Sequence, residues 1–157
     1  MAVDQTDLQI LGALQQNADQ RLEDVAKKVK MATSSVHDRV RRLEREGVIR
    51  RWTVDVDAEA LGLGVLAFVG VRSTSSCNDL MEALEKIPEI EECHSVAGEL
   101  CFLLKVRVPK TADLLGLLER LRQIAGIEST ESTIVLKTRI DRPVCIQKMK
   151  AAEAKGK

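Results

Sequence analysis

Two short helical patterns that lie almost end to end constrain the fold of this chain more than any other feature. Apolar residues recur at helical spacing in residues 22–29 and again in residues 34–46. Only Lys30 and Met31 separate the first pattern from a new polar stretch that starts around Thr33. Two helices joined by so short a turn predict a helix-turn-helix.

A third helix completes this predicted unit. Apolar spacing places it ahead of the other two, over residues 6–16, and Thr6 and Gln9 match a capping box at its start. At the far end of the unit, Gly47 follows the last pattern, and glycine is the residue that most often closes a helix. We therefore expect three short helices before residue 48.

Positive charge is concentrated in the same part of the chain, although the chain as a whole is neutral. In residues 27–51, nine lysines and arginines face three acids, which leaves a net charge of +6. From Trp52 onward, fourteen basic residues face sixteen acids, a net charge of −2. A basic block in a neutral chain predicts a surface for the phosphates of nucleic acid. A solvated helix face is the alternative that charge alone leaves open.

The last helix of this unit carries the candidate DNA contacts. The start of the second helix of a helix-turn-helix enters the major groove, so Ser34, Ser35 and Asp38 are placed to read base edges. We expect Arg39 to bind a guanine or a phosphate, and the arginines further along to hold the DNA backbone with the lysines of the preceding helix. Pairing with nearby acids is the alternative for some of these arginines. The candidate DNA-binding residues are Thr33, Ser34, Ser35, His37, Asp38, Arg39, Arg41, Arg42, Lys27 and Lys28.

The second half of the chain alternates between strand and helix patterns. A short β-rich connector in residues 48–57 precedes the change and is expected to act as linker strand and hinge. The order β-α-β-β-α-β that follows is the ferredoxin-like arrangement, which makes the whole chain α+β. One antiparallel sheet with both helices on one face leaves its other face uncovered, so we expect a second subunit to pack there. The predicted strands are residues 65–72, 92–96, 101–108 and 132–140, and the predicted helices are residues 79–86 and 112–124.

These patterns divide the chain into four parts. Residues 1–52 are predicted to form the helix-turn-helix DNA-binding domain, and residues 53–62 the linker strand and hinge. Residues 63–148 are predicted to form the ferredoxin-like oligomerisation domain, whose last piece, residues 143–148, is a candidate for one more strand. Residues 149–157 are predicted to be a disordered tail, because they are rich in Ala, Lys and Gly and have nothing to bury.

Catalysis and metal binding find little support in the sequence. There is no GxGxxG, P-loop or HExxH motif, and neither His37 nor His94 lies near a nucleophile motif. Cys93 and His94 are neighbours in a predicted strand, so their side chains point to opposite faces and cannot readily share a metal ion. The longest apolar stretch, residues 61–71, is shorter than the roughly 20 residues that span a bilayer. We expect a cytoplasmic protein without enzyme activity, metal, cofactor or membrane partner.

Four segments together give the chain a resemblance to a known family. They are residues 7–14 (DLQILGAL), 33–49 (TSSVHDRVRRLEREGVI), 93–99 (CHSVAGE) and 103–109 (LLKVRVP). In this order and at these separations they resemble the Lrp/AsnC family of regulators, also called the leucine-responsive or feast/famine family. The resemblance covers nearly the whole chain.

The resemblance implies a winged-type helix-turn-helix followed by a ligand-sensing domain of ferredoxin-like fold. It implies homodimers that associate further, often to octamers, and two recognition helices that meet a pseudo-palindromic operator in double-stranded DNA. It also implies a small-molecule effector, commonly an amino acid, bound by a hairpin of one sensing domain and the start of the last strand of a neighbour. The effector-binding residues that it implies are Gly98, Glu99, Cys101, Ser132, Thr133 and Ile134. The alternative is a metabolite sensor or assembly protein with weak or no specific DNA binding.

The chain departs from the family pattern at three positions. Cys101 stands where the hairpin usually has a second acid, so a carboxylate that could pair with the ammonium group of a ligand is missing. Lys30 stands in place of the usual glycine of the turn, and Ala32 in place of the usual capping serine. We therefore expect Thr33 or Ser34 to cap the last helix.

Overall fold

A computed structural model describes residues 3–74 and 77–146 of the chain. These residues form two compact units, the first made of residues 3–55 and 141–146 and the second of residues 56–140. Residues 141–146, which the sequence assigns to the sensing domain, therefore group with the helix-turn-helix. The helices and strands, in chain order, are α1 (Gln5–Gln16), α2 (Leu22–Val29), α3 (Thr33–Arg45), β1 (Val65–Ser73), α4 (Cys77–Leu84), β2 (Ile90–Ser95), β3 (Phe102–Val108), α5 (Thr111–Arg122) and β4 (Ile127–Ile134).

The first helix has a different cap from the predicted one. Asp4 is the N-cap of α1, and its carboxylate accepts a hydrogen bond from the backbone N–H of Asp7. The Asp7 carboxylate in turn accepts one from the backbone N–H of Asp4, which completes a capping box. The prediction of a box at Thr6 and Gln9 is wrong, because the helix already begins at Gln5.

The turn between α2 and α3 is tight and carries one residue in an unusual conformation. Lys30 has φ 54° and ψ 47°, the left-handed region that favours glycine. α3 then begins at Thr33 with Ala32 as its N-cap, which has no side-chain oxygen to accept a backbone hydrogen bond. The expectation that Thr33 or Ser34 caps this helix is therefore wrong. Gly47, at φ 72°, follows the end of α3 as predicted.

Apolar contacts hold the three helices of the first unit together. Each helix contributes one stripe to the shared core, and α3 buries its stripe completely or almost completely. The buried cluster consists of Ile10, Ala13, Leu14, Val25, Ala26, Val36 and Val40. Burial of this stripe fixes which face of α3 points outward.

Two predicted strands do not form in the first unit. Residues 51–57 have no regular secondary structure and are all exposed. A strand needs a neighbour to share its backbone hydrogen bonds, and the described chain provides none there. In residues 143–146, the described part of the second candidate strand, there is also no strand, although the backbone carbonyl of Val144 accepts a hydrogen bond from Gln15 Nε2 at 2.8 Å. The predicted tail, residues 149–157, lies outside the described residues.

The second unit has the predicted ferredoxin-like order and confirms the α+β class. Its four strands are all antiparallel and lie side by side as β2-β3-β1-β4. The helices α4 and α5 bury their apolar residues against one face of this sheet. The other face carries Leu66, Phe68 and Leu103 among charged side chains, and within the second unit no helix packs on it. No helix in the described ranges is long and apolar enough to cross a membrane.

The last strand differs most from its prediction. β4 is Ile127–Ile134, whereas the sequence pattern predicts residues 132–140. β4 forms an edge of the sheet, where a strand pairs on one side only and buries little, so its apolar alternation is weak. The other predicted helices and strands of this unit agree with the structure to within two residues at each end.

Candidate DNA-binding surface and effector site

The outward face of α3 is polar and basic. Val36, Val40 and Leu43 point into the core, so the residues on the opposite side of the helix are exposed. Ser35, which the sequence also proposes as a base contact, is half-buried beside this face. The exposed residues of the face are Thr33, Ser34, His37, Asp38, Arg41 and Arg45, together with one acid, Glu44. This combination of short polar side chains at the helix start and arginines further along can contact base edges and phosphates together.

Two arginines of α3 do not belong to this face. Arg39 Nη1 lies 2.6 Å from Asp4 Oδ2 and 2.7 Å from Asp7 Oδ1, and Arg42 Nη2 lies 2.5 Å from Asp7 Oδ2. Asp7 is completely buried, whereas the two arginine side chains are about three-quarters buried. Their guanidinium groups are thus bound to Asp4 and Asp7, which is the pairing with acids that the sequence leaves open as the alternative to a DNA contact.

The ion pairs also change the acidity of Asp4. Partial burial on its own would raise the pKa of the Asp4 carboxyl. The hydrogen bonds from Arg39 and from the backbone N–H of Asp7, together with the charge of Arg39, outweigh that effect and lower the pKa below its usual range. Asp4 is therefore a firmly ionised partner for Arg39 at neutral pH.

The two lysines of α2 lie on the surface. Lys27 Nζ lies 3.0 Å from Asp24 Oδ1, and Lys28 Nζ donates to Gln20 Oε1 at 2.9 Å. The hydrogen bond from Lys27 lowers the pKa of Asp24, and the same bond raises the pKa of Lys27. Exposed pairs of this kind are weak, so both lysines can exchange their partners for a phosphate.

The predicted effector hairpin connects β2 to β3. Gly98 in this connection has φ 131°, and Glu99 Oε2 lies 2.7 Å from Arg72 Nη2 of β1. The backbone N–H of Cys101 donates to the carbonyl of Val71 at 2.8 Å, which ties the hairpin to β1. The Glu99 side chain is mostly exposed and Cys101 is half-buried. The hairpin thus offers one accessible carboxylate with an arginine beside it.

The remaining predicted effector residues lie apart from the hairpin within one chain. Ser132, Thr133 and Ile134 are the last three residues of β4, not the start of the strand, and all three are exposed. They pair with residues 67–69 of β1, so that β1 lies between them and the hairpin. Thr133 points to the opposite face of the sheet from its two neighbours, because successive side chains alternate.

The acids that hold the arginines are the functional residues that sequence reasoning missed. Asp7 lies in the same stripe of α1 as Ile10 and Leu14, and this is the signal that could have revealed it. A charged residue in a core-facing stripe is almost never fully buried without a partner. The sequence does not reveal which arginines, more than 30 positions away, provide that partner.

The described residues contain no group of three or more metal-ligating side chains. Cys93 packs among the core residues of the second unit, with Sγ 3.8 Å from Met81 Sδ, and burial raises the pKa of its thiol. His94 is exposed and lies 2.9 Å from Glu92. The two side chains therefore point to opposite faces, as the sequence predicts.

A helix-turn-helix with a basic outward helix, joined to an antiparallel sheet domain, defines a DNA-binding regulator with a ligand-binding domain. Residues 3–50 match the family described as "Winged helix-turn-helix DNA-binding", and residues 66–145 match the "Lrp/AsnC ligand binding domain". The chain belongs to the Lrp/AsnC family of transcriptional regulators.

Relatives and solved structures agree with this assignment. The chain is 34% identical over 137 residues to the HTH-type transcriptional regulator FL11 of Pyrococcus horikoshii, covering 87% of this chain and 91% of the relative. It is 37% identical over 139 residues to LrpA of Mycobacterium tuberculosis, covering 87% and 92%. Escherichia coli AsnC superposes with a TM-score of 0.86 at 29% identity, covering 90% of this chain and 97% of AsnC. A feast or famine regulatory protein of M. tuberculosis complexed with L-methionine also gives 0.86, at 35% identity, covering 92% and 99%.

Proposed function

We propose that this regulator binds a pseudo-palindromic site in double-stranded DNA through the outward face of α3 and that an amino acid changes this binding. The observation that carries the proposal is the exposed row of polar and basic side chains on α3, from Ser34 to Arg45. Ser34, Asp38 and His37, near the start of the helix, contact base edges. Arg41 and Arg45, with Lys27 and Lys28 of α2, hold the DNA backbone.

Symmetry sets the form of the operator. A dimer presents two copies of α3, and successive major grooves on one side of DNA lie about 34–36 Å apart. The half-sites of the operator are therefore about one helical turn apart. The uncovered face of the sheet carries the apolar residues Leu66, Phe68 and Leu103, and a second subunit packed on it would shield them from water. This supports association of subunits through the second unit. We propose that dimers associate further, to an octamer.

The effector in this proposal is an amino acid bound between sensing domains. One relative was crystallised with L-methionine. Glu99 of the hairpin and Arg72 of the adjacent β1 offer a carboxylate and a guanidinium that match an ammonium and a carboxylate. Gly98 and Cys101 complete the hairpin side of the site, and Ser132, Thr133 and Ile134 of a neighbour complete the other. The effector acts only if it binds one assembly state more tightly than another. The protein works in the cytoplasm by binding, without a cofactor and without catalysis.

A titration tests the DNA proposal. The wild-type protein is titrated against the DNA upstream of its own gene and against an unrelated fragment of equal length, at several salt concentrations. We expect tight binding to the upstream fragment alone, and Arg41→Gln should lower the salt slope by about two, one for each subunit of the dimer. Lys86→Gln, which removes one positive charge from an exposed position of the second unit, is the matched control and should leave both affinities unchanged. Equal, salt-sensitive binding to both fragments would refute sequence-specific recognition and favour a sensor with only nonspecific DNA attraction.

A second titration tests the effector site. The affinity for the preferred fragment is measured with and without each amino acid, for the wild type and for Glu99→Gln. At least one amino acid should change the wild-type affinity, and Glu99→Gln should abolish that change while keeping the affinity without effector. If no amino acid changes the wild-type affinity, or if the Glu99 variant responds fully, the proposed effector site is wrong.

A further inference from the structure

We propose that Asp4, Asp7, Arg39 and Arg42, the acid–arginine cluster, position the recognition helix α3 on α1 and thereby determine how specifically the protein binds DNA. In this proposal Arg39 and Arg42 are positioning residues, although they lie on the helix that contacts DNA. The inference rests on the DNA-binding role of the family and not on the identity of the operator or the effector.

The hydrogen bonds of the cluster fix both of its carboxylates. Asp4 Oδ1 accepts from the backbone N–H of Asp7, and Asp4 Oδ2 accepts from Arg39. Asp7 Oδ1 accepts from Arg39, and Asp7 Oδ2 accepts from Arg42 and from the backbone N–H of Asp4. Every carboxylate oxygen of the cluster therefore has a donor. The capping box that begins α1 also orients the acids that hold α3.

The cluster contacts α3 at two points three residues apart. Arg39 and Arg42 lie on the same side of the helix, since residues at this spacing are neighbours on a helix surface. Apolar contacts such as those of Val36 and Val40 are not directional, so they alone permit small rotations of α3 about its axis. Charge-assisted hydrogen bonds to one buried carboxylate are directional, and two of them prevent such rotations. The rotation of α3 decides which side chains reach the bases.

The charge of the cluster gives the proposal a clear test. Acids close to a DNA-binding helix repel phosphates, so simple electrostatics predicts that removing one strengthens binding to any DNA. Positioning predicts the opposite for the preferred sequence, because a misplaced α3 loses its base contacts. The two accounts differ in the sign of the effect.

The variants are chosen so that they keep the fold. Asp4→Asn removes the charge but keeps a good N-cap, since asparagine caps helices about as well as aspartate. The Asp4 side chain is 49% exposed and the Arg39 side chain 26% exposed, so neither is a completely buried position. Arg39→Gln is compared with Arg41→Gln, the same substitution at an exposed position of the same helix. Thermal unfolding followed by circular dichroism checks that each variant is folded, and if Arg39→Gln is not, Asp4→Asn decides alone.

Affinity is measured for two duplexes over a range of salt concentrations. One duplex is selected by the wild-type protein from a random-sequence library, and the other is an unselected duplex of equal length. For Asp4→Asn and Arg39→Gln we expect the preference for the selected duplex to fall by about tenfold, comparable with one mismatched base pair. The salt slope of Arg39→Gln should stay within about half a unit of the wild type, whereas that of Arg41→Gln should fall by about two, one for each subunit of the dimer.

Two results would overturn the proposal. One is that Asp4→Asn strengthens binding to both duplexes by the same factor. The other is that Arg39→Gln lowers the salt slope as much as Arg41→Gln does, which would make Arg39 a phosphate contact. If selection yields no preferred duplex, sequence-specific recognition fails, but the comparison of the two salt slopes still decides the role of Arg39.

Discussion

The two units differ in what they bury. Among the described residues, every buried core side chain of the second unit is apolar, from Ala67 in β1 to Leu121 in α5. The first unit is smaller and also has an apolar core, but it buries the charged side chain of Asp7 beside that core. In the described part of the second unit no charged pair includes a completely buried side chain; in the pair of Lys105 and Glu92, for example, the side chains are 25% and 47% exposed.

The contrast between the two units separates the contacts that stabilise a unit from the contacts that fix the orientation of its helices and strands. Apolar burial stabilises a domain in proportion to the area removed from water, whatever the direction of the contacts. The hydrogen bonds of the sheet already fix the register of the second unit, so it needs no ionic contacts for that purpose. The first unit has three short helices and no sheet, and the acid–arginine cluster provides the directional contacts that the helices lack.

Loss of the buried acid should have the largest effect on stability. Asp7→Asn keeps the shape of the side chain but leaves two arginines facing a neutral amide, and breaking a buried ion pair costs about 3–5 kcal/mol. Urea unfolding followed by the fluorescence of Trp52, the single tryptophan of the chain, measures the loss in the first unit. A loss below about 1 kcal/mol, the size expected of surface pairs, would mean that the cluster is not a buried contact.

A conservative change in the apolar core should have a smaller effect. Leu104 is completely buried in β3, and Leu104→Met conserves its volume, which usually costs less than about 1.5 kcal/mol. Chemical unfolding followed by circular dichroism at 222 nm gives the value. A cost as large as that of Asp7→Asn would remove the contrast between the two cores.

A side-chain cap on the recognition helix should stabilise the first unit. Ala32 is the N-cap of α3 and is exposed, so Ala32→Ser adds an acceptor for a free backbone N–H and should gain about 1 kcal/mol. The free energy of unfolding from the Trp52 signal tests the gain. An unchanged or lower stability would show that the backbone N–H groups at this helix start have other partners.

Replacing Lys30, the left-handed residue of the turn between α2 and α3, by glycine should give a smaller gain in stability. Lys30 has a positive φ, which disfavours residues with a Cβ, so Lys30→Gly should stabilise the first unit. Glycine also adds freedom to the unfolded chain, which offsets about 0.4–1 kcal/mol of the benefit. The net gain is read from the denaturant midpoint, with Lys28→Gly inside α2 as the control that should destabilise. If both changes destabilise to the same degree, the left-handed conformation of Lys30 is not strained.

The pH dependence of Asp4 should be the smallest effect, because its side chain is half-exposed. Its pKa is lower in the folded state than in the unfolded state, so the stabilisation is fully present above about pH 3.9, the ordinary value, and is lost as the pH falls through the folded pKa. The difference in stability between the wild type and Asp4→Asn should therefore shrink in acid. A difference that stays constant down to pH 2 would assign the effect to capping alone.

Local patterns predict most of this structure from the sequence, and the failures share a cause. The periodicity of α3 and the closing Gly47 are visible within a few residues, and so is the order of strands and helices in the second unit. The strand expected in residues 48–57 needs a partner from outside the described chain. β4 is polar because it lies at an edge, and the pairing of Asp7 with Arg39 joins positions 32 apart. Each of these depends on contacts that lie beyond the reach of local sequence patterns.

One measurement tests the central claim that the outward face of α3 reads DNA while Arg39 positions the helix. Selection from random-sequence duplexes is repeated with Asp38→Asn and with Arg39→Gln. The account predicts that Asp38→Asn changes the preferred base at one position of each half-site, whereas Arg39→Gln selects the wild-type sequence with weaker enrichment. A changed base preference for Arg39→Gln, with an unchanged one for Asp38→Asn, would contradict it.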